Sequence, residues 1–267
     1  MSTTTTTDYA KWRDFAVTIA AEAATRAKAM VRAGFTADLK ANGTVITQID
    51  LAVERYLRDE IGKAYPHHAI LGEEFGTTGT VSPDVPLWCL DPVDGTTNLA
   101  NGLPLWCVSV GVVYKNEAVA GAVNAPMLGD IYAGALGYGA TRNGVALPRL
   151  ASGGEIAAEE AYIVCGTSTR RMNFGKLVAK LRILGSAALD LCFVASGQAK
   201  GCQCACTSLY DLAAGRVIAG ETGADSVWLE SGEPWEPMAH LSAGGDCAAT
   251  LLTAPPATLA HLLSALR

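Results

Sequence analysis

The segment Asp91-Pro-Val-Asp-Gly-Thr-Thr-Asn98, directly after the apolar run Leu87-Trp-Cys-Leu90, concentrates the residue types that do phosphate chemistry. It sets two carboxylates three positions apart at the end of an expected buried strand, with a turn immediately beyond. Pro92 fixes one backbone angle and removes a donor. Gly95 allows close backbone approach. Thr96 and Thr97 can cap a helix or leave backbone N–H groups facing an anion. Oxygen ligands for a hard cation beside N–H donors for a phosphate fit metal-assisted phosphate chemistry.

Further acids stand at comparable places. Glu73 and Glu74 follow the short strand Ala69-Ile-Leu71, Asp211 opens a helix after a strand, and Asp50 lies near the start of an earlier helix. Each has an ordinary alternative: Asp211 as a helix cap, Glu73 as a solvated turn residue. As a set they mark strand ends, where layered folds bind ligands.

The elements that must position them are readable from periodicity. An Ala-rich helix is expected over Tyr9–Arg32, with Gly34 as its stop. A second helix opens at Thr47-Gln-Ile-Asp50 in a capping pattern and runs to Ile61. Strands are expected at 69–71, 87–90, 106–114, 119–124 and 131–135, with turns at Lys115-Asn-Glu117 and Arg142-Asn-Gly144. Beyond the small, polar stretch 151–160, strands at 162–165 and 201–206 alternate with helices at 174–180, 189–195 and 211–222. The expected organisation is a disordered tail over 1–8, an α+β half over 9–150 carrying most of the acids, and a smaller α/β half over 151–267 carrying Asp211.

With 267 residues, half of them hydrophobic and 17% charged, the chain can bury a large core. Its formal net charge of −6 and the lack of a basic stripe argue against a nucleic-acid surface. An acidic protein that handles phosphate needs local cations, which favours a metal site. Neither a signal pattern nor an apolar run of about 18–20 residues is present, so a cytoplasmic protein without membrane association is expected.

Eight cysteines are scattered through apolar segments apart from Cys202-Gln-Cys-Ala-Cys206. Period-two spacing puts these on one face of a strand. Reduced thiols in a core strand are the favoured reading over a metal or redox site, because C-x-C-x-C is not the usual zinc spacing. His67, His68, His240 and His261 form no ligand pair and are read as structural or surface residues. Arg170 and Arg171 are read as solvated rather than as contacts to a second phosphate or a partner subunit.

Leu71-Gly-Glu-Glu74, Trp88-Cys-Leu-Asp-Pro-Val-Asp-Gly-Thr-Thr-Asn98 and Leu209-Tyr-Asp-Leu-Ala-Ala-Gly215 resemble the motifs of the inositol monophosphatase family, Mg²⁺-dependent, lithium-sensitive phosphatases. Val45-Ile-Thr-Gln-Ile-Asp50, Gly102-Leu-Pro104 and Leu184-Gly-Ser-Ala-Ala-Leu189 agree. The resemblance runs in order from about Ala10 to about Pro237. It implies a five-layer αβαβα sandwich, a homodimer, and roughly two or three Mg²⁺ ions per subunit. It further implies roles. Glu73, Asp91 and the Val93 carbonyl match ligands of a first metal; Asp91 bridges to a second, completed by Asp94 and Asp211. Glu73 and Thr96, with Asp50 behind, match the group positioning the attacking water. Gly95 and Thr96 present N–H groups to the phosphate, and Gly185, Ser186 and Ala187 match a segment touching the substrate's organic part. Asp94 and Asp211 border the same pocket.

Departures bear on the substrate. Tyr210 stands where many members have Trp, and Glu221-Thr-Gly-Ala224 replaces Glu-Ala-Gly-Gly. Cys204 stands where inositol-specific members carry a Glu that binds inositol hydroxyls, and a thiol cannot accept two strong hydrogen bonds as a carboxylate does. The expected substrate is a small phosphorylated polyol, inositol, sugar or amino alcohol. Histidinol phosphate is the main rival substrate, since Pro66-His-His-Ala-Ile-Leu-Gly-Glu-Glu-Phe75 and Gly102-Leu-Pro-Leu-Trp106 resemble those members too. Fructose 1,6-bisphosphate, adenosine 3′,5′-bisphosphate and an inactive regulatory role on the same scaffold stay open.

Overall fold

The structure, a computed structural model, describes residues 6–40, 43–170, 172–243 and 249–267. Helix α1 (Thr6–Ala33) begins inside the segment expected to be a disordered tail, and Gly34 follows it at φ 89°. Ala16, Ala20, Ala23, Ala24 and Ala27 are buried at three- and four-residue spacing, so α1 lies close against its neighbours. A hairpin that the sequence did not announce, β1 (Ala37–Leu39) and β2 (Val45–Thr47), leads into α2 (Gln48–Ala64). The expected capping box at Thr47 and Asp50 is present.

Strands β3 (Ala69–Gly72), β4 (Gly76–Thr78) and β5 (Leu87–Asp94), the short α3 (Thr96–Ala100), and strands β6 (Cys107–Tyr114), β7 (Glu117–Ala125), β8 (Asp130–Ala135), β9 (Ala140–Arg142) and β10 (Val145–Ala146) follow. They form an eight-stranded sheet, order β10-β9-β8-β7-β6-β5-β3-β4, antiparallel except between β3 and β5. Next come β11 (Ala161–Val164), β12 (Lys180–Arg182), α4 (Ala187–Ala195), β13 (Gly201–Ala205), α5 (Leu209–Glu221), β14 (Asp225–Trp228), α6 (Pro237–Ala243), β15 (Thr250–Ala254) and α7 (Pro256–Leu266). A second, mixed sheet has the order β12-β11-β13-β15-β14. The helix expected over 174–180 is absent: Phe174–Ala179 is turn and bend, and the chain then enters β12, an exposed edge strand.

Three apolar clusters define five layers. The first packs α1 and α2 on the outer face of the large sheet, through Trp88, Leu90 and Val93 of β5. The second fills the space between the sheets with α4 and α5, and the third holds α7 against the outer face of the small sheet. The order is αβαβα.

Helix α5, from the C-terminal part of the sequence, lies on the large sheet. Gly111, Gly121 and Gly134 stand side by side in register across β6, β7 and β8. A Cβ at Gly111 would fall 2.6 Å from Ala214 N, at Gly121 2.7 Å from Ala214 Cα, and at Gly134 3.0 Å from Ile218 Cα. This row of missing side chains seats α5 on the sheet and carries Asp211 to the end of β5.

Candidate metal and phosphate site

Asp91 and Asp94 lie within β5, not in a turn after it, and the strand is irregular between them. Asp91 pairs with Ser109 and Asp94 with Cys107, so three steps on β5 oppose two on β6. Side chains three apart on a regular strand point to opposite faces. The extra residue, at the Pro92-Val93 step, restores the same face for both carboxylates. Val93 stays on the outer face in the α1–α2 cluster, while Asp91 and Asp94 turn toward α4 and α5.

Each carboxylate is then held from a different element. Asp91 is buried and accepts the Val93 N–H at 3.0 Å. Asp94 Oδ2 accepts from Ser186 Oγ at 2.7 Å and Ala188 N at 2.6 Å, and Oδ1 from Ala187 N at 3.2 Å, at the start of α4. Asp211 is the third residue of α5, and its Oδ2 accepts the Ser208 N–H at 2.5 Å in a capping box. The cap reading of Asp211 holds, and its carboxyl is also hydrogen-bonded to Asp91. Glu73 follows β3, its side chain 21% exposed, with Oε1 2.8 Å from Lys40 Nζ.

Burial, then the charges of Glu73, Asp94 and Asp211, hold the Asp91 carboxyl well above the ordinary carboxylate range. Burial pushes Asp94 up to about 6 against the opposing donors of Ser186, Ala188 and Ala187. Burial and the Asp94 charge push Asp211 up to about 8. The charges of Glu73, Asp94 and Asp211 thus all act on the buried Asp91, and the all-oxygen donor set has the chemistry a hard cation requires. Among the described residues no three His, Cys, Asp or Glu side chains stand close enough together to hold an ion. Each of three acids also has a partner of its own: Glu73 has Lys40, Asp94 the start of α4, and Asp211 its own cap.

Thr96 Oγ1 donates toward Val93 O at 2.9 Å and Asp50 Oδ1 at 3.1 Å. Asp50, fully buried, also accepts Thr47 N at 2.9 Å and Thr47 Oγ1 at 2.5 Å through Oδ2. Burial raises its pKa against these donors. Gly95 has φ 95°, and a Cβ there would stand 2.8 Å from Leu105 O. Asn98 Nδ2 donates to Leu105 O at 2.6 Å and Leu184 O at 2.7 Å, tying the Gly185-Ser-Ala187 segment to the central motif.

Cys204 is buried on β13, opposite Leu251 of β15, and is a free thiol, as is Cys202. Cys206 is disulfide-bonded, which corrects the expectation that the cluster is fully reduced. Cys247 and Arg171 lie outside the described residues, as does the side chain of Arg170. Structural roles hold for His68, whose Nδ1 accepts the Trp88 Nε1–H at 3.0 Å, and for His240, bonded to Thr207 O. Lys40 is the site residue that sequence reasoning missed. It sits at the end of a hairpin strand too short to show periodicity, with a basic residue in an acidic chain as its only signal.

Carboxylates on β5, after β3 and at the start of α5, on an αβαβα sandwich, have the oxygen-donor chemistry of a metal-dependent phosphatase. The profile of the inositol monophosphatase family matches residues 8–266, and the chain belongs to that family. It is 34% identical over 221 residues to inositol monophosphatase 1 of Solanum lycopersicum, covering 77% of this chain and 81% of that protein. It is 35% identical over 201 residues to a fructose-1,6-bisphosphatase/inositol-1-monophosphatase of Aquifex aeolicus, covering 71% and 74%. The inositol monophosphatase of Anabaena sp. PCC 7120 superposes with a TM-score of 0.80 at 26% identity, over 97% of this chain and 96% of that one.

Proposed function

We propose that the chain is a Mg²⁺-dependent phosphomonoesterase that hydrolyses a small phosphorylated polyol, inositol phosphate or sugar phosphate by attack of water. The observation that supports it most is the β5 bulge, which turns Asp91 and Asp94 to the same face, toward Asp211 and Glu73. Glu73, Asp91, the Val93 carbonyl, Asp94 and Asp211 would hold the cations. Bound divalent cations would supply water activation and neutralise charge at the leaving oxygen.

The chain's own residues do the rest. Thr96 Oγ shares its proton between the Val93 carbonyl and Asp50 and keeps a lone pair free to orient the attacking water beside Glu73. The N–H groups of Gly95 and Thr96 bind phosphate oxygens. Ser186, Ala187 and Cys204, with Gly185, border the alcohol half of the substrate, and the thiol at 204 offers it no carboxylate. The acids need a nearby counter-charge when the phosphate dianion arrives, which is why the cations are required. Function in the cytoplasm as a homodimer, and sensitivity to Li⁺, belong to the same reading.

The test is a panel of phosphorylated metabolites, inositol 1-phosphate, fructose 1,6-bisphosphate and histidinol phosphate among them, incubated with Mg²⁺ or with EDTA. Mg²⁺-dependent phosphate release from a phosphomonoester supports the reading. Release that survives EDTA, or none from any ester, overturns it.

A further inference from the structure

Helix α2 presents Asp50, Glu54 and Arg58 at successive intervals of four residues, one face of the helix. Asp50 reaches the central motif through Thr96. Glu54, about 6 Å further along the helix axis, reaches the other half of the site. Its side chain is fully buried, where a carboxylate is tolerated only with several good donors. Oε2 accepts the Glu74 N–H at 2.7 Å; Oε1 accepts the Phe75 N–H at 3.2 Å and Arg58 Nε at 2.7 Å. Arg58 continues to Thr78 Oγ1 at 3.0 Å and to the Gly76 carbonyl. The turn joining β3 to β4 is thus pinned to α2 through consecutive backbone groups.

Gly72 provides the space. A Cβ there would collide with Oε1 and Cδ of Glu54 and stand 2.8 Å from Arg58 Nη2. Its φ is not in the left-handed region, so the glycine is required by this approach and not by backbone conformation.

We propose that Glu54 is a positioning residue whose carboxylate, seated where Gly72 lacks a side chain, locks the Glu73–Phe75 turn and fixes Glu73 relative to Thr96. It touches neither substrate nor metal; one helix face sets the separation of the water-orienting hydroxyl and the first metal carboxylate. The inference rests on the reading of Glu73 as a metal ligand.

Glu54→Gln keeps the shape but turns an NH₂ toward backbone donors, and Gly72→Ala displaces the carboxylate without altering its charge. Mn²⁺ titrated calorimetrically into wild type and both variants reads the effect without turnover. The expected result is a roughly 10–100-fold weaker Mn²⁺ affinity in both folded variants, the usual size for a lost outer contact. Activity lost at low Mn²⁺ should return in part at saturating Mn²⁺. In wild type the amides of Glu74 and Phe75 should exchange slowly with solvent deuterium, a measurement that needs no variant to fold. Unchanged Mn²⁺ affinity alongside a lowered Tm makes Glu54 merely structural and overturns the proposal, as does free exchange of both amides. A wild type that binds no Mn²⁺ overturns the metal reading beneath it, an outcome distinct from the other two.

Discussion

Lys40 Nζ lies 2.8 Å from Glu73 Oε1 and 2.7 Å from Glu74 Oε1, so one ammonium bridges both acids of the β3–β4 turn. Burial opposes its charge, but the bonds and charges of the two glutamates outweigh this and hold its pKa above the ordinary lysine value. The ammonium is the counter-charge of these two glutamates. Lys40→Met should cost about 1.5–3 kcal/mol without metal, the range for charge-assisted hydrogen bonds. Each kcal/mol lowers Tm by about 2–4 °C in a chain of this size. Saturating Mg²⁺ should shrink the difference, because a cation at Glu73 replaces the lost charge. Thermal melts with EDTA and with Mg²⁺ check this; an equal loss in both makes the contact an ordinary surface pair.

The raised carboxylates set a pH dependence opposite to the usual acidic one. Asp94 moves from 3.8 to about 6 and Asp211 from 3.8 to about 8, burial being the foremost cause for both. A carboxyl whose folded pKa is raised binds its proton more tightly in the native state, so stability falls as pH rises from the unfolded toward the folded pKa. The metal-free protein should lose Tm between about pH 4 and pH 8 on this account. Cations bind the ionised acids, so the Tm gain on adding Mg²⁺ should grow from pH 5 to pH 8. A metal-induced gain that is flat or shrinks over this window contradicts the assignment.

Thr96→Val removes one hydroxyl and keeps the side-chain shape. With Thr96 orienting water through Asp50, kcat should fall by roughly 10²-fold or more while calorimetric Mg²⁺ affinity changes little. Loss of affinity equal to the loss of kcat would place Thr96 among the metal-holding residues instead.

Cys204→Glu introduces a carboxylate acceptor at the buried position that the proposed function sets beside the alcohol half of the substrate. A charged hydrogen bond worth about 1.5–3 kcal/mol corresponds to roughly 10–100-fold in kcat/KM for inositol 1-phosphate. Esters of alcohols without a matching hydroxyl should gain nothing. An equal change for every substrate would mean that residue 204 does not face the alcohol.

Much of this was legible because chemistry and periodicity coincide. Asp91, Asp94, Glu73 and Asp211 stand out as acids at the ends of apolar runs, and Thr47 with Asp50 carries its cap in the residue spacing. The β5 bulge was not readable as such. Pro92 showed that a donor was missing, but which face Asp94 takes depends on pairing with β6, far from its own neighbours in sequence. The glycine row under α5 was invisible for the same reason, since Gly111, Gly121 and Gly134 become a row only through strand register. Lys40 and Glu54 act through contacts 33 and 20 residues away in sequence. In place of the helix expected at 174–180 the chain makes turn and bend up to Ala179 and then enters an edge strand whose pairing to β11 is a tertiary contact that local spacing does not carry.

The central claim is that Asp91 joins the metal-holding carboxylates and that catalysis depends on them. Asp91→Asn keeps the size and the acceptor for the Val93 N–H while removing the charge. The decisive measurement is Mg²⁺-dependent phosphate release from the best phosphomonoester substrate by wild type and Asp91→Asn, with folding checked by circular dichroism. The account predicts a folded variant with activity reduced by 10³-fold or more, about 4 kcal/mol of lost transition-state stabilisation. A folded variant retaining a substantial fraction of wild-type Mg²⁺-dependent turnover would contradict it.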